Sequence, residues 1–172
     1  MEEKYDRIGV NYNQTRKADP YLLKRLAHHL GPTEGSFLDI GCGTGNYTIA
    51  LHDLHYNILG VDPSSLMLER ARSRNPKITW LQSKAEDLSL DDASFNGVTA
   101  FLTLHHWQDL KQGFKELFRV MKPAARLVIF SSTPEQMKAY WLCYYFPKML
   151  EASIEQMPSL NEVREAISEA GL

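Results

Sequence analysis

The sequence predicts an α/β domain with a doubly wound parallel sheet, and two features of its 172 residues carry that prediction. Five short apolar segments alternate with segments whose apolar residues recur at helical spacing, which is the pattern of βαβ units. The first predicted strand also runs directly into a glycine-rich turn and a helix. Because crossovers between parallel strands are right-handed, helices should cover both faces of the sheet.

Composition narrows the classes of function. With 44% hydrophobic residues, 23% charged residues and a net charge of −2, the chain shows no basic surface for nucleic acid or an anionic membrane. Two cysteines exclude a disulfide framework, and His52 and His55 lack a visible third ligand, so we expect no metal site. No apolar run approaches the ~20 residues that span a bilayer, and the chain does not open on a signal peptide. We therefore expect a cytoplasmic, enzyme-sized domain.

The stretch FLDIGCGTGNYT, residues 37–48, is predicted to hold the main binding site. Glycine reaches positive φ at little cost and lets a ligand lie against the backbone, and the following helix presents free N–H groups. A dinucleotide-binding loop would place its third glycine five positions after Gly41, at Asn46. Here the third glycine is Gly45, four positions after Gly41. This spacing disfavours an NAD-linked oxidoreductase.

Two motifs resemble a known family. The run LDIGCGTG, with acidic Asp39 inside the strand, resembles motif I of the class I S-adenosylmethionine (SAM) dependent methyltransferases. The segment LHHW, residues 104–107, resembles a segment of a large subgroup of these enzymes, the methyltransferase type 11-like proteins. The resemblance implies a Rossmann-like sheet of order 3-2-1-4-5 and transfer of a methyl group from SAM to a small-molecule acceptor, leaving S-adenosylhomocysteine. The alternative is a SAM-binding module or fragment without catalytic activity.

Turn residues and hydrophobic periodicity predict where the strands and helices lie. Strands are predicted at 37–40, 57–61, 78–82, 95–101 and 126–130, and helices begin near Asp19, Asn46, Ser64, Asp109, Thr133 and Ser159. The arginines of the third helix, Arg70, Arg72 and Arg74, are expected on a solvated face. Asn96 stands where the family usually has Asp, a change we expect to be minor because an amide keeps the hydrogen bonds. Ala124 and Ala125 replace a Gly-Gly pair; because alanine resists positive φ, that turn is expected to differ.

We expect one domain over residues 1–172. Its predicted parts are an N-terminal cap segment and helix (1–33), a Rossmann-like core (34–131) and a helical lid or substrate region (132–172). Within the last part, residues 137–158 are rich in aromatic side chains. This stretch is either a lid over a ligand, which we favour, or a helix that packs on a partner surface.

Asp62 lies 21 positions after Gly41, near the ~20 at which nucleotide-binding folds place a carboxylate on ribose hydroxyls. The alternative is a plain helix N-cap before Pro63. The resemblance further implies that Glu86, with Ala85, borders adenine. It also implies that two N-terminal residues close over the cofactor, with Arg16 near its carboxylate. The full predicted cofactor set is Tyr12, Arg16, Asp39, Gly41, Cys42, Gly43, Asp62, Pro63, Met67, Ala85, Glu86, Phe101 and Leu102.

His106 is the candidate catalytic base, because an imidazole titrates near neutral pH. A packing or hydrogen-bonding role is the alternative. Two adjacent histidines are expected to point in different directions, so His105 and His106 should not both serve the site.

The family normally adds an antiparallel strand pair, and residues 169–172 resemble the sequence that leads into it. We therefore expect a C-terminally truncated domain, its fifth strand lying at an exposed edge. Because unpaired backbone groups at an edge favour pairing with another chain, we expect a homodimer or aggregation through this edge, and coverage by the chain's own last helices is the alternative.

Overall fold

The computed structural model describes residues 17–172, and five strands form its central sheet. They are β1 (Ser36–Ile40), β2 (Asn57–Asp62), β3 (Trp80–Gln82), β4 (Phe95–Phe101) and β5 (Met121–Phe130). All pairs are parallel and the order is β3-β2-β1-β4-β5. The predicted fold class and strand order are confirmed.

Eight α-helices are described in residues 17–172. They are α1 (Pro20–Leu30), α2 (Asn46–Asp53), α3 (Ser65–Arg74), α4 (Leu110–Val120), α5 (Pro134–Lys138), α6 (Leu142–Tyr145), α7 (Pro147–Glu155) and α8 (Leu160–Ala170), with a 3₁₀ turn at Leu104–His106. Asp19 caps α1, and capping boxes open α5 at Thr133 and α8 at Ser159. Within this described part, no helix has both the length and the apolar character that crossing a membrane requires.

Side chains that alternate along the strands build a core on each face of the sheet. On one face, Phe37 and Ile58 pack with residues of α1 and α2. On the other face, Leu38 and Ile40 pack with buried residues of α4 and α8. The alternation between Phe37 and Leu38 follows from the two-residue period of a strand. Burial on both faces fixes the strand register and therefore the positions of the loops at the strand ends.

β5 begins at Met121, earlier than the predicted start at Arg126, because the chain pairs again as soon as α4 ends. Met121 pairs with Phe95 and Arg126 with Gly97, so the residues between them form an irregular bulge. Ala124 lies in this bulge with φ +63°. Pairing on both sides fixes the path of the bulge, and the alanine adopts the left-handed conformation that glycine takes at lower cost.

The strand order places β5 at an edge of the sheet. Both of its faces are covered: Val128 packs with the α1 cluster, and Leu127 and Ile129 pack with the α4–α8 cluster. Dimerisation through the backbone edge stays a prediction.

Two arginines of α3 differ from the expected solvated face. Arg72 donates to the carbonyl of Trp80 at 3.2 Å, and Arg74 donates to the carbonyl of Thr44 at 2.7 Å. Both residues are exposed, but their guanidinium groups donate to the backbone, because a long side chain can reach back over the surface it covers.

Candidate active site

A cavity of about 1010 Å³ lies at the carboxyl ends of β1, β2 and β4. Ligands of open α/β sheets bind at this edge, where neighbouring loops diverge. Twelve of the predicted site residues line it together: Asp39, Gly41, Cys42, Gly43, Asp62, Pro63, Met67, Ala85, Glu86, Phe101, Leu102 and His106. The other two, Tyr12 and Arg16, lie outside the described residues.

The three glycines of the loop between β1 and α2 serve different purposes. Gly41 has φ +70°, and a Cβ there would overlap the Thr103 hydroxyl; Gly45 has φ +78°, and its Cβ would lie 2.4 Å from the Trp80 ring. Gly43 has φ +54°, but a Cβ on it would meet nothing within 4 Å. Conformation and close packing therefore require Gly41 and Gly45, whereas Gly43 faces open space in the cavity.

Four backbone N–H groups of the glycine loop are already bonded within the protein. Gly41 and Cys42 both donate to the carbonyl of Val61, at 2.8 and 2.9 Å, and Gly43 donates to the carboxylate of Asp62 at 2.8 Å. Gly45 closes the turn by donating to the carbonyl of Cys42 at 2.9 Å. The loop is therefore preformed, and a ligand need not supply acceptors to hold its shape.

Asp39 lies at the bottom of the cavity and is 2% exposed. The hydroxyl of Thr48 in α2 donates to one oxygen at 2.5 Å, and that of Thr99 in β4 donates to the other at 2.7 Å. Burial raises the pKa of Asp39 from 3.8 to about 6, although the two hydroxyl donors oppose this rise. The carboxyl group thus connects β1, α2 and β4 beneath the loop.

Burial also governs Cys42, which lines the cavity and whose side chain packs against the buried cluster that contains Trp80. Desolvation is the first cause that raises the pKa of its thiol well above the ordinary value, and the nearby Asp39 and Asp62 add to it. A protonated thiol is a weak nucleophile, so Cys42 contributes to the wall of the cavity rather than to covalent chemistry.

Asp62 ends β2 and uses both carboxylate oxygens. One oxygen accepts from the N–H of Gly43 at 2.8 Å, and the other accepts from the N–H of Ser64 at 2.9 Å. The cap of α3 is Ser64, whose hydroxyl accepts from the N–H of Met67, so Asp62 is not the helix N-cap. These two bonds join the end of β2 to the glycine loop and to the start of α3.

Glu86 follows β3 and lines the cavity, but one of its oxygens also holds the start of α4. That oxygen accepts from the N–H groups of Gln108 at 2.6 Å and Asp109 at 3.2 Å. The side chain of Gln112 donates to the Glu86 carbonyl at 3.3 Å. Glu86 therefore connects the wall of the cavity to the N-terminus of α4, where a carboxylate is favoured.

An ion-pair network around Arg119 also attaches the loop after β3 to α4. Arg119 of α4 donates to the carbonyls of Leu88 and Leu90, at 2.8 and 2.7 Å, and pairs with Glu116 and Asp92. Hydrogen bonds from Arg119 lower the pKa of Glu116, and those to Glu116 and Asp92 raise the pKa of Arg119. The loop after β3 is consequently attached to α4 at two points.

Aromatic rings line the cavity beside β4. Phe101 stacks between Tyr47, with ring centroids 3.7 Å apart, and Phe130, at 4.6 Å. Leu102 follows with φ +53°, a costly conformation for a residue with a Cβ, and its side chain is 42% exposed. This bend directs the chain into the 3₁₀ turn that carries the histidines.

Both histidines line the cavity, with ring centroids 3.8 Å apart. The expectation that the two side chains point in different directions is therefore wrong, whereas the expectation that only one of them serves the site stays a prediction. Adjacent side chains diverge in a strand, but in a 3₁₀ turn successive residues are only about 120° apart.

Several cavity residues were not predicted: Lys17, Leu22, Thr44, Asn46, Tyr47, Ser64, Ser83, Lys84, Thr103, His105, Trp107, Gln108, Gln156 and Met157. Thr44, Asn46 and Tyr47 continue the glycine loop and could have been included from their position in the motif. Gln156 and Met157 follow α7 within residues 137–158, the stretch that its composition predicts to be a lid, but neither was singled out as a site residue. Among the residues that the structure describes, no group of three or more metal-ligating side chains forms a metal site.

Comparison with known proteins identifies the class. A family model described as a methyltransferase domain matches residues 38–129. The chain is 31% identical over 161 residues to the demethylmenaquinone methyltransferase of Chlorobaculum tepidum, covering 82% of this chain and 66% of that protein. A solved structure of a methyltransferase assigned to an antibiotic biosynthesis pathway of Anabaena variabilis is 30% identical, with a TM-score of 0.83, over 92% of this chain and 63% of that one.

A more distant structure shares the fold: the phosphoethanolamine N-methyltransferase 2 of Haemonchus contortus in complex with SAM, 21% identical, with a TM-score of 0.74, over 92% of this chain and 38% of that one. The family-model match and the fold thus define a class I SAM-dependent methyltransferase domain. The chain belongs to the methyltransferase domain family, and it spans about two thirds of the length of the first two relatives.

Proposed function

We propose that the protein binds SAM in this cavity and is a SAM-dependent methyltransferase (EC 2.1.1) that acts on a small-molecule acceptor. The observation that carries the proposal is the convergence at one sheet edge of the glycine loop, Asp62 and the loop after β3. The names of the relatives support the reaction class, and the complexed structure from Haemonchus contortus supports the cofactor.

The described residues fit such a cofactor. Gly43 leaves open space beside Asp62, and in the proposal the ribose hydroxyls lie there and donate to this carboxylate. In the proposal, Asp39, Gly41 and Cys42 surround the methionine portion, while Pro63, Met67, Ala85 and Glu86 surround adenine. SAM supplies a methyl group on a sulfonium, which an acceptor can take by in-line displacement. The chain's own contribution is to position both partners and exclude water.

The acceptor side of the cavity is proposed to lie at His105, His106, Gln156 and Met157. His106 is the proposed base that would take a proton from the acceptor, for which a neutral imidazole near pH 7 is suited. Gln156 and Met157 belong to the lid region 132–172, which would cover the acceptor. The cytoplasmic location expected from composition stays a prediction.

A thermal-shift experiment tests cofactor binding. At about 100 times its dissociation constant, a ligand adds about 2.7 kcal/mol, which for a domain of this length corresponds to roughly 5–10 °C. We expect this shift with SAM or S-adenosylhomocysteine and none with NAD. A response to NAD alone would identify an oxidoreductase instead.

Turnover is tested by S-adenosylhomocysteine release with a panel containing a hydroquinone, a phenol and an amine. Release with one acceptor class supports catalysis, whereas SAM binding without release from any supports the binding-module alternative. The two histidines provide a matched pair. The His106→Gln variant should lose more turnover than His105→Gln at unchanged SAM affinity; an equal effect would remove His106 from the role of base.

A further inference from the structure

Arg74, the last residue of α3, reaches the glycine loop from outside the cavity. Its Nη1 donates to the carbonyl oxygen of Thr44 at 2.7 Å and to the side-chain oxygen of Asn46 at 2.8 Å. The Thr44 hydroxyl lies 3.4 Å from the same nitrogen. The two shorter contacts use the two N–H bonds that Nη1 carries.

Both partners of Arg74 belong to the cavity wall. Thr44 is only 1% exposed, and its peptide joins the open position at Gly43 to the close-packed position at Gly45. Asn46 is the first residue of α2 and also lines the cavity. A change in the path of this peptide would therefore move the wall against which a ligand lies.

The N-terminus of α2 has no cap of its own. Gly45 occupies the N-cap position with φ +78° and has no side chain to bond the first helical N–H groups. The ring of Trp80 supports the loop from below, where a Cβ on Gly45 would lie 2.4 Å away. Arg74 adds hydrogen bonds on either side of this residue, at Thr44 and at Asn46.

The planar guanidinium of Arg74 sets the direction of these bonds. Desolvation lowers the pKa of Arg74, yet an arginine remains protonated at any physiological pH. A guanidinium presents its donors in a fixed planar arrangement, so it can hold two acceptors in one geometry. A lysine carries the same charge without that arrangement.

We propose that Arg74 is a positioning residue for the cofactor: it fixes the Thr44 peptide and the Asn46 side chain, and thereby the cofactor end of the cavity. Arg74 itself touches no ligand in this proposal. The inference rests on the proposed function, since it assigns a role within the same site.

Arg72 provides a matched control. It lies on the same helix and is likewise exposed. It also donates to a backbone carbonyl, that of Trp80 in β3. Its loss should lower stability and leave the bonds of Arg74 to Thr44 and Asn46 in place. Comparing Arg74→Ala with Arg72→Ala therefore separates positioning from general destabilisation.

The experiment is calorimetric titration of the full chain with S-adenosylhomocysteine, alongside melting curves. We expect Arg74→Ala to weaken binding by about tenfold, Arg74→Lys by about threefold, and Arg72→Ala by less than about twofold. With an active acceptor, the KM for SAM should rise in Arg74→Ala at nearly unchanged kcat. Should Arg74→Ala fail to fold, Arg74→Lys still reports on the geometry.

The outcomes are distinguishable. The positioning role alone would be overturned if Arg74→Ala bound S-adenosylhomocysteine as tightly as the wild type does. It would also be overturned if Arg72→Ala and Arg74→Ala lost the same amount of affinity. A wild-type chain that binds neither S-adenosylhomocysteine nor SAM would overturn the proposed function and this inference together.

Discussion

Replacement of Asp39 by asparagine should change how the stability of the protein depends on pH. Burial raises the pKa of this carboxyl group in the folded state from 3.8 to about 6. The folded state then binds the proton more tightly than the unfolded state, so stability falls as pH rises between these two values. The shift of about two pKa units corresponds to about 3 kcal/mol. The amide of the Asp39→Asn variant would be neutral throughout, so the variant would lack this dependence.

The assay is urea unfolding of the wild type and of Asp39→Asn at about pH 4, 5, 6 and 7. The wild-type stability minus that of the variant should be about 2 kcal/mol larger at about pH 4 than at about pH 7, because at pH 4 the unfolded carboxyl is already partly ionised. The amide of the variant is neutral at every pH. Any gain or loss in its contacts with Thr48 and Thr99 therefore changes the stability difference by the same amount at each pH.

Thr99→Val serves as a second variant, because it removes the donor 2.7 Å from one carboxylate oxygen. Without that donor the pKa of Asp39 should rise further, and the decline in stability should move to higher pH. A difference between wild type and Asp39→Asn that stays constant across the range would show that Asp39 ionises normally and that burial does not control its pKa.

Three further substitutions test other contacts. Ala124→Gly should raise the free energy of unfolding by about 0.5–1 kcal/mol, since glycine relieves the φ of +63° at an exposed position; a lower melting temperature would contradict this. Asn96→Asp should stabilise by less than about 1 kcal/mol through the contact to Lys122, now 2.9 Å, and this gain should disappear in high salt. Asp62→Ala should weaken S-adenosylhomocysteine binding at least about tenfold; unchanged affinity would limit Asp62 to bonding Gly43 and Ser64.

Local sequence patterns were sufficient to predict the five strands of the sheet. Each strand is a short apolar segment, and the loop at Gly41–Gly45 has spacing that separates one ligand class from another. Helix starts were also predictable, because the capping boxes at Thr133 and Ser159 depend only on residues three apart.

Contacts between distant parts of the chain were not predictable in this way. Arg74 bonds a loop 28 and 30 positions earlier, and no periodicity marks it among the arginines of α3. The early start of β5 depends on pairing with Phe95, not on its own composition. His105 joins His106 in the cavity because a strained Leu102 opens a 3₁₀ turn, a conformation that alternation along a strand does not anticipate.

The internal bonding of the glycine loop has a kinetic consequence. Amide hydrogens of Gly41, Cys42 and Gly43 already have acceptors in the protein, so they should exchange slowly with solvent even when no ligand is present. Association then requires displacement of water but no ordering of this segment, and no slow conformational phase should precede it. Differences in affinity among related ligands should consequently appear in their rates of dissociation.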